Sequence, residues 1–173
     1  MKNLIIGLEA RIKAVCPSIK TVGTWNNQVQ DMTNADGAKT YTFACPAVFF
    51  EFVNENPVEH VGNGVQVFDP MDIRAHIIHD YYNADIGLME ENHVVYDIEQ
   101  EVHNGLQLYA VKGADYGSSA LSRVSVEQDY DHSNVYHKIP TYRTTWTDNS
   151  RAWPIGGNTH GPSLLTEITP DIL

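Results

Sequence analysis

The chain opens on apolar residues spaced by three and four, Leu4, Ile5, Leu8, Ile12 and Val15, with Lys2, Glu9, Arg11 and Lys13 between them. That spacing predicts an amphipathic helix over residues 2 to 16 with one buried stripe. Pro17 stops it, because the residue before a proline avoids the helical region. Ile19 to Trp25 reads as a short extended piece. The polar stretch Asn26 to Lys39, with Asn34, Asp36 and Gly37 as turn formers, reads as a long loop or arm. Pro46 to Asn54 is the clearest strand. Val48, Phe50 and Phe52 alternate there with Phe49, Glu51 and Val53, so both faces are largely apolar and a central place in a sheet is expected.

Beyond the breakers Asn56, Pro57, Gly62, Asn63 and Gly64, the alternation resumes in Val65 to Phe68 and Asp72 to Asp80. Ile73, Ala75 and Ile77 are expected inward and Asp72, Arg74 and His76 outward, with antiparallel pairing across the Gly-rich turn. A second helix is expected from Met89 to Tyr109, its core stripe being Val94 or Val95, Ile98, Val102, Leu106 and Tyr109. Two more strands follow, Ala120 to Asp129, with Val124 and Val126 on one face, and Val135 to Thr147, joined by a hairpin loop. Pro140 cannot donate to a ladder, which predicts an edge position or a bulge for the last strand. From Asn149 onward, prolines and glycines punctuate 25 residues with few core hydrophobes, which predicts an arm extending from the domain. The order predicts an α+β fold: a mainly antiparallel sheet of four to five strands with two helices packed on one face, residues 1–148 forming one domain and 149–173 an extended C-terminal arm.

Composition changes this picture little and charge changes it more. A 173-residue chain with 42% hydrophobic content can bury one domain's core. Its apolar runs are far shorter than the roughly 20 residues of a membrane helix, and Met1 to Ala10 lacks a secretory pattern, so an intracellular protein without membrane association is expected. Cys16 and Cys45 have no CxxC spacing and read as core or helix-end thiols. The net charge is −11, which disfavours gripping of nucleic acid through phosphate contacts. From Ala75 to Val111 there are seven acids and no Lys or Arg, which predicts a strongly negative face on the second helix. That face is either a solvated helix surface or one that repels an acidic neighbour or a passing polyanion.

Candidate chemistry is sparse. His76 and His79 with Asp80 and Asp85 suggest a metal site or an acid/base pair, but on a strand positions 76 and 79 point to opposite faces. His60, His93, His103, His132, His137 and His160 lack ligand spacing and read as mostly surface residues. Asp129, Asp131 and His132 lack the glycine and terminal Glu of a calcium loop and read as turn formers. No phosphate loop, dinucleotide fingerprint or nucleophile elbow occurs, Ser118 and Ser119 have no base at a readable spacing, and Cys16 sits at a helix end. A protein without catalytic residues, cofactor or metal is therefore expected.

The succession LIIGLEARIKAVCP, IKTVGTWNNQ, CPAVFFEFV, VGNGVQVFDPMDIRAHIIHDY, a long second helix, ALSRVSVEQDYDH and VYHKIPTYRTTWTD resembles the tail terminator proteins of long-tailed bacteriophages over about residues 2 to 148. The resemblance implies an α+β structural virion subunit, assembled in the host cytoplasm, that forms a hexameric ring on the head-proximal end of the tail tube. The ring stops tube polymerisation and offers a docking face to the head-tail connector, or neck, with DNA passing through it and not being bound specifically. Under this reading Glu90, Glu91, Asp97, Glu99 or Glu101 faces the channel or an adjoining ring, and Trp25, Tyr136, Tyr142, Trp146 and Trp153 serve subunit contacts, since aromatics dominate binding hot spots; the other reading of those aromatics is intramolecular core. A head-completion or neck protein of the same virion shares these features. A small metal-dependent hydrolase using His76, His79 and Asp80 is the alternative from another class.

Overall fold

The structure, a computed structural model, describes residues 1–29, 43–53, 59–61, 65–80, 89–129 and 135–149, with the backbone alone for 59–61, 80 and 89–92. The elements are α1 (Lys2–Val15), β1 (Thr21–Thr24), β2 (Ala47–Val53), β3 (Glu59–Val61), β4 (Val65–Asp80), α2 (Met89–Leu106), β5 (Tyr116–Ser118), β6 (Ser122–Asp129) and β7 (Val135–Asp148). The class is the expected one, α+β with a mostly antiparallel sheet and two helices.

The sheet runs β1-β2-β4-β7-β5, with β3 added to β4 and β6 added to β7. Only β1 and β2 are parallel; β4 runs antiparallel to β2, β3 and β7. Residues 65–67 of β4 pair with β3, and residues 72–78 pair with β2, so β2 and β3 share one flank while β7 holds the other. β7 is likewise shared, residues 137–143 with β6 and 146–148 with β5.

Alternation along the strands divides the sheet into two faces. Val48, Phe50, Met71, Ile73, Ala75, Ile77, Tyr142 and Trp146 form one core with Leu4, Leu8 and Ile12 of α1 and Ile98, Val102 and Leu106 of α2. The two helices lie close together because Gly105 has no side chain: a Cβ there would sit 3.0 Å from both Cys16 Sγ and Val15 Cγ2.

Several expectations are corrected. The segments 65–68 and 72–80 are one strand, its register with β7 shifting between Phe68 and Met71, where Pro70 cannot donate. The last strand is no edge: β7 lies between β4 and the pair β5 and β6, and its ladder to β4 resumes the same register on either side of Ile139 and Pro140. α2 ends at Leu106, three residues before the expected Tyr109. Leu108 there takes φ 62°, and the chain turns away with Leu108 N–H donating to Leu121 O at 2.9 Å. The short strands β3 and β5 carry too few residues for a legible alternation. The arm from 30 to 42, the turn 62–64, Asp85, the loop 130–134 and the C-terminal stretch from 150, with Trp153 in it, lie outside the described residues.

Gly7 of α1 faces Val111, whose Cγ1 would lie 2.6 Å from an added Cβ. Overpacking of this kind costs typically 1–3 kcal/mol, against about 1 kcal/mol gained from replacing Gly by Ala in a helix. Gly7→Ala therefore lowers stability by about 1 kcal/mol, read as a drop in urea midpoint at constant slope. The double variant Gly7→Ala with Val111→Ala loses this strain; a rise in stability for the single variant contradicts the packing.

Candidate functional site

The sheet face away from the helices gathers the side chains that carry chemistry. Glu51 follows the apolar run of β2 on this face, Arg74 and His76 alternate with the buried Ile73, Ala75 and Ile77 of β4, and His137 and Asp129 meet as partners in the β6–β7 ladder. The register brings four of these groups into a line. Glu51 Oε2 lies 3.2 Å from His76 Nε2, His76 Nδ1 lies 2.9 Å from His137 Nε2, and His137 Nδ1 lies 3.0 Å from Asp129 Oδ2. Arg74 Nη1 also reaches Glu51 Oε2, at 3.4 Å.

Trp25 covers the middle of the line. Its indole stacks on His76 with centroids 3.8 Å apart and planes 6° apart. Around it Val29, Ala47, Phe49 and Ile78 form a second, smaller core, with Phe43, Cys45 and Val135 at its margin. His76 is consequently 4% exposed and His137 2%. The expectation that His76 points outward into solvent, and that His137 is a surface residue, is thus corrected: the alternation is right, but the chain after β1 folds over that face. Burial holds the His76 imidazole below its usual value, to about 4; positive charge on His137 and Arg74 acts in the same direction, and the Glu51 hydrogen bond and charge oppose it.

Farther along the same face the strip is open. Arg143 grips Asp72 through two hydrogen bonds of 2.7 and 2.8 Å, which hold the Asp72 carboxyl below the usual range. Val53, Val124, Ser125, Glu127 and Thr141 complete a shallow depression there.

The predicted acidic surface is split. Residues 97, 99 and 101 are about 200° apart in succession on a helix, so they cannot share one face. Asp97 is exposed, Glu101 is half-buried with its Oε1 3.5 Å from Ser18 N, and Glu99 turns inward. Glu99 pairs with Lys138 and lies 3.9 Å from Arg123 Nη1, at 14% exposure. Burial works against the charge on Lys138, but the hydrogen bond to Glu99, the Glu99 charge and the neighbouring Tyr136 together outweigh it, and the ammonium holds its proton more tightly than in water. Glu99 is therefore a structural ion-pair partner within this chain and is removed from the set of channel-facing acids. Glu90 and Glu91 have no described side chains.

The aromatic residues expected at subunit contacts are placed differently too. Tyr142 and Trp146 are fully buried under the helices and Tyr136 is 4% exposed, so all three pack within the chain, because β7 is central. Trp25 is half-buried on the histidine pair.

His76 and His79 stand on opposite faces of β4, as alternation requires, with His79 across from Tyr136 and His76 beside Glu51. The side chain of Asp80 lies outside the described residues. Among the described residues no group of three or more His, Cys, Asp or Glu side chains is arranged to hold a metal ion. Cys16 is buried and donates toward Glu101 O at 3.5 Å; burial, then the Glu101 charge, push its thiol up to about 11 despite Arg11, which suits a packed thiol. The polar line through Glu51, His76, His137 and Asp129 was not anticipated. Its signal is the shared outward phase of Glu51, Arg74 and His76 combined with the hairpin that sets Asp129 against His137. No helix among the described residues is long and apolar enough to cross a membrane. Comparison with protein-family models gives no match, and comparison with curated proteins gives none.

Two outcomes follow from this geometry. His76 binds a proton less readily folded than unfolded, so its contribution is present above the ordinary value of about 6.5 and is lost as pH falls toward about 4. Unfolding free energy should drop by about 2 kcal/mol between pH 7 and pH 4.5, and a flat profile over that range contradicts the burial. Glu99→Gln, which leaves Lys138 without its counter-charge, should cost about 2 kcal/mol in denaturant titration, whereas Asp97→Asn stays within about 0.5 kcal/mol. Equal effects would contradict the split of the acidic face.

Proposed function

We propose that this chain is a structural subunit of the tail terminator kind: a homo-oligomeric, hexameric ring that caps the head-proximal end of a phage tail tube, halts its polymerisation and presents a docking face to the neck. It performs no reaction and uses no cofactor. The observation that carries this reading is the edge strand β6. Seven of its eight residues, Ser122 to Gln128, are exposed, including Val124 at 47% and Val126 at 40%. Among the described residues it pairs on one side only, with β7. A long exposed edge presents backbone groups that favour pairing with another chain. The α+β order of the resembling family and the net charge of −11 support the same reading, since a ring traversed by DNA gains from not binding phosphate.

In native mass spectrometry with negative-stain imaging, the untagged chain, alone or with tube protein, should give closed rings of about 116 kDa, six copies of 19.4 kDa, or rings seated on tube ends. Monomers that ignore the tube protein but bind a portal-side adaptor would overturn the terminator reading in favour of a neck protein.

A further inference from the structure

The line of four side chains contains a proton count that the ring reading neither uses nor needs. Ionised carboxylates only accept hydrogen bonds. The contact between Glu51 and His76 Nε2 therefore requires a proton on Nε2, and the contact between Asp129 and His137 requires one on Nδ1. The 2.9 Å contact between His76 Nδ1 and His137 Nε2 requires a third proton between the two rings. Two neutral imidazoles supply only two. With two, one of the three contacts sets a ring lone pair against another acceptor in a buried place, where an unmade hydrogen bond is costly.

We propose that Glu51, His76, His137 and Asp129 hold one proton more than two neutral histidines would, shared across the contact between the rings, and that this proton fastens the Trp25 segment onto strands β2, β4, β6 and β7. The charges agree. Glu51 and Asp129 place a carboxylate at each end of the buried ring pair, and both favour positive charge between them. Among the described residues, ionisable groups that face the pair include Glu51 from β2, Arg74 from β4 and Asp129 from β6, with the Asp72–Arg143 pair farther along the same face. The chain after β1 contributes the Trp25 ring, and a charged imidazole stacked on an indole face is favourable. A second added proton is resisted, because it would place two positive charges in adjacent buried rings beside Arg74. Stability therefore peaks near neutral pH and falls on both sides, with the acid limb set by that second proton and the alkaline limb by loss of the shared one.

The test is imidazole 15N NMR on the full chain labelled only at histidine, with the pair assigned through His76→Asn and His137→Asn. At pH 7.5, one unit above the ordinary histidine value of about 6.5, three of the four ring nitrogens should be protonated. Glu51→Gln supplies an amide N–H that donates to His76 Nε2, so the line is complete with two ring protons, and the count should fall to two of four. Asp129→Asn does the same from the other end and serves if Glu51→Gln does not fold. Two of four in the wild type, or three of four in a folded Glu51→Gln or Asp129→Asn variant, overturns the proposal. The Trp25 amide, which donates to Phe50 O at 2.9 Å, reads the fastening. Its protection factor should fall about tenfold as the shared proton leaves on raising pH, as for loss of one charge-assisted hydrogen bond. An unchanged protection factor through that titration overturns the fastening.

Discussion

The pairing of β4 with β7 is the constraint from which the rest of the structure follows. These two strands share the longest ladder in the sheet, from Gln66 against Asp148 to Asp80 against Val135. The side-chain period of a strand is two, so a slip of one residue would exchange its two faces. With the observed register, Ile73 stands against Tyr142 on the helix side and Ile78 stands against His137 on the other. The first side becomes a dry core closed by α1 and α2. The second side is left to the residues that cannot enter that core, Arg74, His76, His137 and Arg143, and they are accommodated by pairing with one another and with Glu51, Asp72 and Asp129.

The sheet is thus covered by the helices on one face and over part of the other by a different means. Under the helices, hydrophobic area removed from water stabilises the contact, and the large rings of Tyr142 and Trp146 occupy its centre. On the far face the cover is a stretch of chain bearing Trp25 and Val29, and the polar groups beneath it tolerate burial because Glu51, His76, His137 and Asp129 hydrogen-bond one to the next. That face depends on protonation state in a way that the helix face does not. The ion pair of Glu99 with Lys138 ties the edge of α2 to β7, which is why one acid of the run is drawn away from solvent.

The parts of this arrangement that repeat were legible in the chain. The stripe Leu4, Leu8, Ile12 and the stripe Ile98, Val102, Leu106 carry the helical period, and the alternation at Ile73, Ala75 and Ile77 carries the strand period, so the α+β class and the inward set follow. What was misread depends on contacts distant in sequence. Pro140 suggested an edge position or a bulge, and β7 is central because its ladder to β4 is long enough to pass over the missing donor. The aromatics of β7 were open to either reading, and position in the sheet decided for the core. His76 was correctly placed on the face away from the helices, but only the return of Trp25 across it makes that face an interior. Three acids at alternating positions along α2 were read as one surface, although the helix turns Glu99 away from Asp97 and Glu101.

Among the described residues the strand β6 is held by β7 on one side and presents Val124 and Val126 to solvent. We propose that another subunit docks along this edge and that the ring assembles through it. The most direct measurement is residue-resolved amide hydrogen exchange on dilute, unassembled protein and on rings or capped tubes. Amides of Ser122–Asp129 that point away from β7 should exchange freely in the first state and become protected in the second. Rings that form while those amides keep exchanging freely would contradict assembly through β6.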